Sequence, residues 1–352
     1  MGGRDERGRA PRGRAGLVRG LVRGLVLGPA LLALAGCAGS TFTLIEENDS
    51  LSLSDPGDDH YTQGFRASWV FPKEQAPTLT RRAARAARVA NATTEAIGVF
   101  VGQEMYTPEN IRARRLVRND RPYAGWLYGG MAVANVERDE QGPVGDNLDS
   151  YEIQVGVIGP ESYASTFQKQ AHEITGSDRP RGWRNQLGDE VGLVLSYEHR
   201  RRLFHVGAEE GLALDGIGGL GASLGNVFTH GQGSLTVRLG MDLPRDFGVN
   251  TIHRSVAEVG PPGDELEGFG WYLFASPEGR GVLRNSFLDG NTFRDSHSVE
   301  REDAVAEGAA GLVLRWDNWR LTFSQNIRTP EFEEQRHTQR FGSVSLQYQI
   351  DF

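Results

Sequence analysis

The sequence predicts an all-β protein: a transmembrane antiparallel β-barrel of about twelve strands, with short helices in an extracellular loop. Three observations predict it. Apolar and polar residues alternate with period two in segment after segment. The chain opens with an export signal. The alternation also runs to the last residue, through Val344, Leu346, Tyr348, Ile350 and Phe352, as expected where a final strand must pair along its whole length to close a barrel.

The N-terminal segment carries seven arginines against Asp5 and Glu6, followed by a mostly apolar stretch from Leu25 to Ala35. That is a basic region and a hydrophobic region of signal-peptide length, too short for a spanning helix. Two cleavage readings stand. Ala33-Leu34-Ala35 is an A-x-A site, and Leu34-Ala35-Gly36-Cys37 resembles a lipoprotein signal that would leave Cys37 lipidated. Residues 1–37 are therefore assigned to the signal, and 38–352 to a single barrel domain. Cys37 is the only cysteine, so no intrachain disulfide forms. The net charge of −8 becomes more negative once the basic leader is removed. Beyond residue 37 no run of 18 apolar residues exists, which excludes a helical span.

The strands read in order. Phe65, Ala67, Trp69 and Phe71 form one alternating face. Ile97, Val99 and Val101 form a second, and Leu127, Gly129, Met131 and Val133 a third. Ile153, Val155 and Val157 follow, then Leu193, Leu195 and Tyr197, and later Trp319, Leu321 and Phe323. Asp317-Asn318 separates two such runs as a two-residue hairpin would. Trp, Phe and Tyr near strand ends suit interfacial girdles, and several strands of about ten residues suit a tilted crossing.

Connections are expected near 54–60, 107–123 and 159–190. Taking 42–53 as the first strand, they follow strands one, three and five, so an up-and-down barrel places all three on one rim. The connection near 73–94, with the run RRAARAARVANA, reads as a short helix on the opposite rim. Longer loops of bacterial barrels usually face outward, which makes the first rim extracellular.

Chemistry concentrates on that rim. In 159–190, Phe167, Ala171 and Ile174 have the i, i+4, i+7 spacing of an amphipathic helix, ended by Gly176; Trp183 and Leu187 repeat i, i+4. A loop with its own apolar stripe is expected to be packed. It carries His172, a candidate general base, with Asp178 six residues on. Glu46, Glu47, Asp49, Asp55, Asp58 and Asp59 crowd the end of the first strand. Hard oxygens suit Ca²⁺, although the spacing is not that of an EF-hand. Arg112, Arg114, Arg115, Arg118 and Arg121 cluster in an otherwise acidic chain, which points to phosphate or carboxylate recognition. Gly221-Ala222-Ser223-Leu224-Gly225 matches G-x-S-x-G, but the residues after it read as turn and strand. A nucleophile elbow needs a helix there.

Five stretches, in this order, carry a resemblance: Asn48-Asp49, Tyr61-Thr62-Gln63-Gly64, NDRPYAGW at 119–126, VGVIGP at 155–160 and AHEITGSDRPRGWRNQL at 171–187. Together they resemble the outer-membrane lipid A 3′-O-deacylase family. The resemblance implies a twelve-stranded barrel with its active site at the extracellular rim. It also implies Ca²⁺-dependent hydrolysis of the ester holding the 3′-acyloxyacyl group of lipid A. It maps catalytic roles onto His172, Asn48, Thr62 and Asp178, and metal binding onto Asp49 and the neighbourhood of Thr62. Phosphate binding falls to Arg112, Arg114, Arg115 or Arg121. The chain departs from the pattern at Asp178, where a longer Glu is usual, and at Pro180, where a tyrosine is usual. The expected partners are lipid A or lipopolysaccharide and the outer membrane, with no nucleic acid, and the barrel is expected to be monomeric. Two other functions fit the same architecture: a non-catalytic channel or structural barrel, and a serine-type outer-membrane phospholipase.

Overall fold

The structure, a computed structural model, describes residues 39–53, 60–208, 211–254, 256–260 and 268–350. The leader with Cys37, the acidic Asp55, Asp58 and Asp59, and the terminal Phe352 lie outside the described residues.

Twelve antiparallel strands close into one barrel, each paired with its sequence neighbours and β1 with β12. They are β1 (Thr41–Asn48), β2 (His60–Pro72), β3 (Thr94–Thr107), β4 (Ala124–Glu137), β5 (Asn147–Ile158) and β6 (Glu190–Gly207). β7 (Leu212–Gly225), β8 (Phe228–Met241), β9 (Phe269–Asn285), β10 (Ala304–Trp316), β11 (Trp319–Arg328) and β12 (Gln339–Gln349) complete it. Closure runs from Thr41 opposite Gln349 to Asn48 opposite Gly342, so the alternating C-terminal run seals the first strand. The first strand ends at Asn48, not at 53, because residues 49–51 turn into a 3-10 helix that Asn48 caps.

The connections after β1, β3 and β5 share a rim, here the upper rim, as the strand count requires. The expected lower-rim helix is present as α1 (Thr78–Ala86). The hairpin between β10 and β11 is also present. Trp316 faces Trp319 across it, and Asp317 adopts the positive φ that such a tight turn demands.

Residues opposed across an antiparallel pair lie on the same face, and faces alternate along a strand. The register therefore defines outer-wall rows. One row reads Leu44, Ala67, Val101, Gly129, Val155 and Leu193 across β1 to β6, and it is wholly apolar or glycine. Val101, Val155 and Leu193 are exposed, an arrangement that water disfavours and hydrocarbon accepts. Near the lower rim a second row reads Trp69, Phe42, Tyr348, Trp319, Trp316 and Phe269. Its rings touch, with Phe42–Trp69 and Trp319–Tyr348 centroids both 4.6 Å apart. This is an aromatic girdle.

Much of the interior is filled, leaving a cavity lined by residues such as Glu152, Ser196 and Arg280. Phe100, Tyr106, Trp126, Tyr128, Phe247 and Phe287 belong to its main apolar cluster. Around them run ion pairs such as Arg66–Glu152 (2.9 Å), Arg254–Glu198 (2.9 Å) and Arg280–Glu278 (2.7 Å). Much of this filling comes from the connection between β8 and β9, which starts at the lower rim and turns inward. Its Ile252 carbonyl accepts from Arg66, and Arg200 donates to the Phe247 carbonyl (2.7 Å). The sequence reading did not foresee that plug.

Candidate active site on the outer wall

The polar site residues begin where the apolar wall ends. One row above the lipid-facing row, the outer face reads Glu46, Phe65, Gln103, Leu127, Val157 and Val191. The next reads Asn48, Gln63, Met105 and Gly125. Four oxygen- or amide-bearing side chains thus sit on adjacent strands at the top of an otherwise apolar surface. Gln63 donates to Glu46 (2.8 Å). The ladder between β2 and β3 slips between Tyr61 and Gln63. This bulge leaves Thr62 as the extra residue, and its hydroxyl lies 2.8 Å from that of Thr107. Asn48 Oδ1 accepts from the Ser50 amide (2.8 Å), so its NH₂ is the end left to donate outward. Asp49 opens the 3-10 turn and is buried.

Directly behind this face the lumen side is also polar: Tyr61 donates to Glu47 (3.0 Å) and Tyr106 to Glu104 (2.5 Å). Tyr61 and Tyr106 pack 5.5 Å apart. The wall that bears the site is therefore pinned from inside.

Helix α2 (Ala164–Thr175) carries His172 and ends at Gly176, whose φ of 76° lets its amide and that of Ser177 bond back to the His172 carbonyl. Its buried residues are Ala164, Gln168 and His172. Ala164 joins a cluster with Met105, Ile111, Tyr123 and Trp183, and Trp183 donates to Gln168 (2.6 Å). Gln103 reaches the carbonyl of Ser162 just before the helix (2.5 Å). Gly125 permits the seating: a Cβ there would meet Ser162 Oγ at 2.1 Å and Ala164 Cβ at 2.4 Å. Met105, Gln103 and Gly125 all lie on the outer face, so α2 rests against the outside of β3 and β4, beside the strands that bear Asn48 and Thr62.

This corrects one expectation. The stripe Phe167, Ala171, Ile174 was expected to pack against protein. Phe167 and Ile174 are instead 55% and 71% exposed, and the packed face is the polar-tipped Gln168/His172 side.

His172 Nδ1 is hydrogen-bonded to the backbone carbonyl of Asp178. A carbonyl only accepts, so Nδ1 carries a proton, and in the neutral ring the lone pair is then on Nε2. The Asp178 carboxylate pairs with Arg112, tying the 159–189 connection to 108–123. Arg112, Arg114 and Arg115 are exposed; the Arg114 carbonyl is held by Arg184 and Asn185 (both 3.1 Å). Arg121 departs from expectation. It is fully buried, pairs with Glu331 (2.9 Å) and lies over the Tyr106 ring (4.7 Å). It is not among the cations presented at the surface. Glu331 would be raised by its burial, but Arg328 and Arg121 hold it down at about 2.

Ser223 lies within β7, bonded to Ser196 across the ladder (2.8 Å) on the face that lines the lumen cavity. No elbow exists there. Among the described residues no group of three or more His, Cys, Asp or Glu is arranged for a metal. The outer-wall donors are mostly neutral oxygens with Glu46, and Asp49 follows in the buried turn, a hard-donor set of the kind Ca²⁺ accepts. Gln103 and Thr107 were not singled out from sequence; Glu46 was named there only within the acidic cluster, and Gln63 only within a quoted stretch. The available signal was that Glu46 and Asn48 continue the alternating face of Phe42 and Leu44.

Comparison with known proteins agrees with this architecture. The family model described as "Outer membrane protein LpxR" matches residues 21–350. Among solved structures, LpxR from Salmonella typhimurium superposes with a TM-score of 0.70 at 19% identity, covering 89% of this chain and 100% of that one. The β-domain of the Bordetella autotransporter BrkA gives a TM-score of 0.43 at 10% identity, covering 89% and 99%. No curated protein sequence matches. A filled, girdled twelve-strand barrel with a polar patch above its apolar band, matched over nearly its whole length, is thus placed: this chain is an outer-membrane protein that belongs to the LpxR family.

Proposed function

We propose that the protein hydrolyses the ester holding the 3′-acyloxyacyl group of lipid A in the outer leaflet. The observation that carries this is His172, on a helix seated against the outer wall, with its Nδ1 held by the Asp178 carbonyl. An imidazole so oriented offers Nε2 as a base beside the hydrocarbon, where an acyl ester of a lipid resides.

In the proposed reaction His172 takes a proton from water as its oxygen bonds to the ester carbonyl carbon. The protonated imidazole then gives that proton to the departing sugar oxygen, releasing a fatty acid and a free hydroxyl. The Asn48 NH₂ donates to the developing oxyanion. The exposed Arg112, Arg114 and Arg115 bind the sugar phosphates. Asp49 and Thr62 are the residues that would hold Ca²⁺, which when bound polarises the ester carbonyl.

Two observations weigh against the other readings. A channel needs an open lumen, and described residues of the β8–β9 connection reach into it to meet Arg66 and Arg200. A serine hydrolase needs a reachable nucleophile, and Ser223 faces inward from a strand.

The test is mass spectrometry of lipid A after incubation with the protein. Loss of a 3′-acyloxyacyl mass, abolished by EGTA and by His172→Ala, is the expected result. Hydrolysis that persists in His172→Ala ends the proposal.

A further inference from the structure

Helix α2 presents three distinct faces. At roughly 100° per residue, Ala164, Gln168 and His172 share the side turned to the barrel. Tyr163, at the N-cap, aligns with Phe167, Ala171 and Ile174 along one flank, and Thr166, Lys169, Gln170 and Glu173 along the other. Burial follows this division. Tyr163, Phe167 and Ile174 are 61%, 55% and 71% exposed, while Gln168 and His172 are buried. A helix at a water-exposed rim turns apolar residues inward; this one turns them away from the protein.

The barrel wall below the helix seat is apolar as well. The outer faces of β3, β5 and β6 expose Val101, Val155 and Val191 below the helix seat formed by Met105 and Gly125. The exposed Arg112, Arg114 and Arg115 stand on the adjoining connection, at the level suited to anionic headgroups.

From this we infer that α2 is an interfacial helix: its Tyr163/Phe167/Ile174 flank is immersed among the acyl chains of the outer leaflet, and its Lys169/Glu173 flank faces water. A three-sided helix with one wall-bound face, one apolar flank and one charged flank has one orientation in which every face meets its preferred medium, parallel to the membrane plane at the hydrocarbon boundary. The occupant of the apolar flank is lipid acyl chain. The inference rests on the outer-membrane location and the barrel wall, not on the deacylase reading.

Site-directed spin labelling tests it. In the Cys37→Ser chain, which otherwise lacks cysteine, single labels are placed by Phe167→Cys, Ile174→Cys and Glu173→Cys. The refolded protein is reconstituted in vesicles of lipopolysaccharide and phospholipid. Labels at 167 and 174 are expected to collide more with oxygen than with a water-soluble nickel complex, and the label at 173 the reverse. Nickel accessibility at 167 and 174 equal to that at 173 overturns the inference. The readout is independent of catalysis. Immersed labels without lipid A hydrolysis would count against the deacylase reading alone; hydrolysis with fully hydrated labels would count against this inference alone.

Discussion

Thr62 and Thr107 face each other across the bulge between β2 and β3, their hydroxyl oxygens 2.8 Å apart and both buried. The bulge moves Thr62 out of the regular ladder, and Thr107 fixes where its hydroxyl goes. Thr107→Val removes that partner and keeps the shape. The expected cost in stability is about 1 kcal/mol. Lipid A deacylation should fall roughly tenfold, and Thr107→Ser should restore it. Full activity in the valine variant would remove Thr107 from the site.

Asp178 acts on His172 through its backbone carbonyl, while its carboxylate binds Arg112 at the surface. Asp178→Asn and Asp178→Ala keep the carbonyl. Both should therefore retain far more activity than His172→Ala in the same assay. Because the Arg112–Asp178 side chains are 68% and 54% exposed, a double-mutant cycle should give at most about 1 kcal/mol of coupling in stability. Loss of activity in Asp178→Asn equal to that in His172→Ala would assign the carboxylate a direct role.

Gly125 sets the distance between β4 and α2. Gly125→Val places atoms where Ser162 Oγ and Ala164 Cβ now lie, 2.1 and 2.4 Å from a Cβ. The barrel pairing is untouched, so heat-modified gel mobility should remain that of a folded barrel. Activity should drop by at least about tenfold as the helix bearing His172 is displaced. A fully active, folded variant would show that the helix seat does not matter.

The Arg121–Glu331 pair joins two upper-rim connections, and the carboxylate is held at about 2, below its ordinary 4.5. A depressed folded-state value contributes stability that is complete above pH 4.5 and is lost as pH falls toward 2. Wild-type denaturant stability should therefore decline across that window. Glu331→Gln should be less stable at pH 7 by about 3 kcal/mol and lack that part of the acid decline, since it leaves Arg121 buried without its partner. Parallel pH profiles for the two proteins would rule out the pair as the source.

Ser223→Ala should leave lipid A hydrolysis unchanged, and serine-directed organophosphates should not inhibit it. Ser223 occupies a strand facing the lumen, bonded to Ser196. Inhibition would revive a nucleophilic serine.

Much of this molecule is written in local periodicity. Alternation of the Phe65–Phe71 and Val344–Ile350 kind specifies which residues face out, and counting strands assigns the connections expected near 54–60, 107–123 and 159–190 to one rim. Both follow from a strand's two-residue repeat and from the single path of an up-and-down barrel, so neither needs coordinates. His172 was likewise visible on that rim as a candidate base, whereas Asn48 and Thr62 were assigned to the site by the resemblance to the lipid A 3′-O-deacylase family.

Three things were decided only by the tertiary structure. The Phe167–Ala171–Ile174 stripe is a real apolar flank, but periodicity does not say whether protein or lipid covers it; contact with β3 and β4 assigned the other face to packing. Arg121 reads like its neighbours in sequence, yet Glu331, more than two hundred residues away, buries it. The β8–β9 connection carries no pattern that distinguishes a loop in water from one folded into a lumen; buried arginines such as Arg66 and Arg200 found their acceptors there. In each case the deciding partner is distant along the chain and near in space. Local sequence determined the faces of the elements, and closure of the barrel determined what those faces meet.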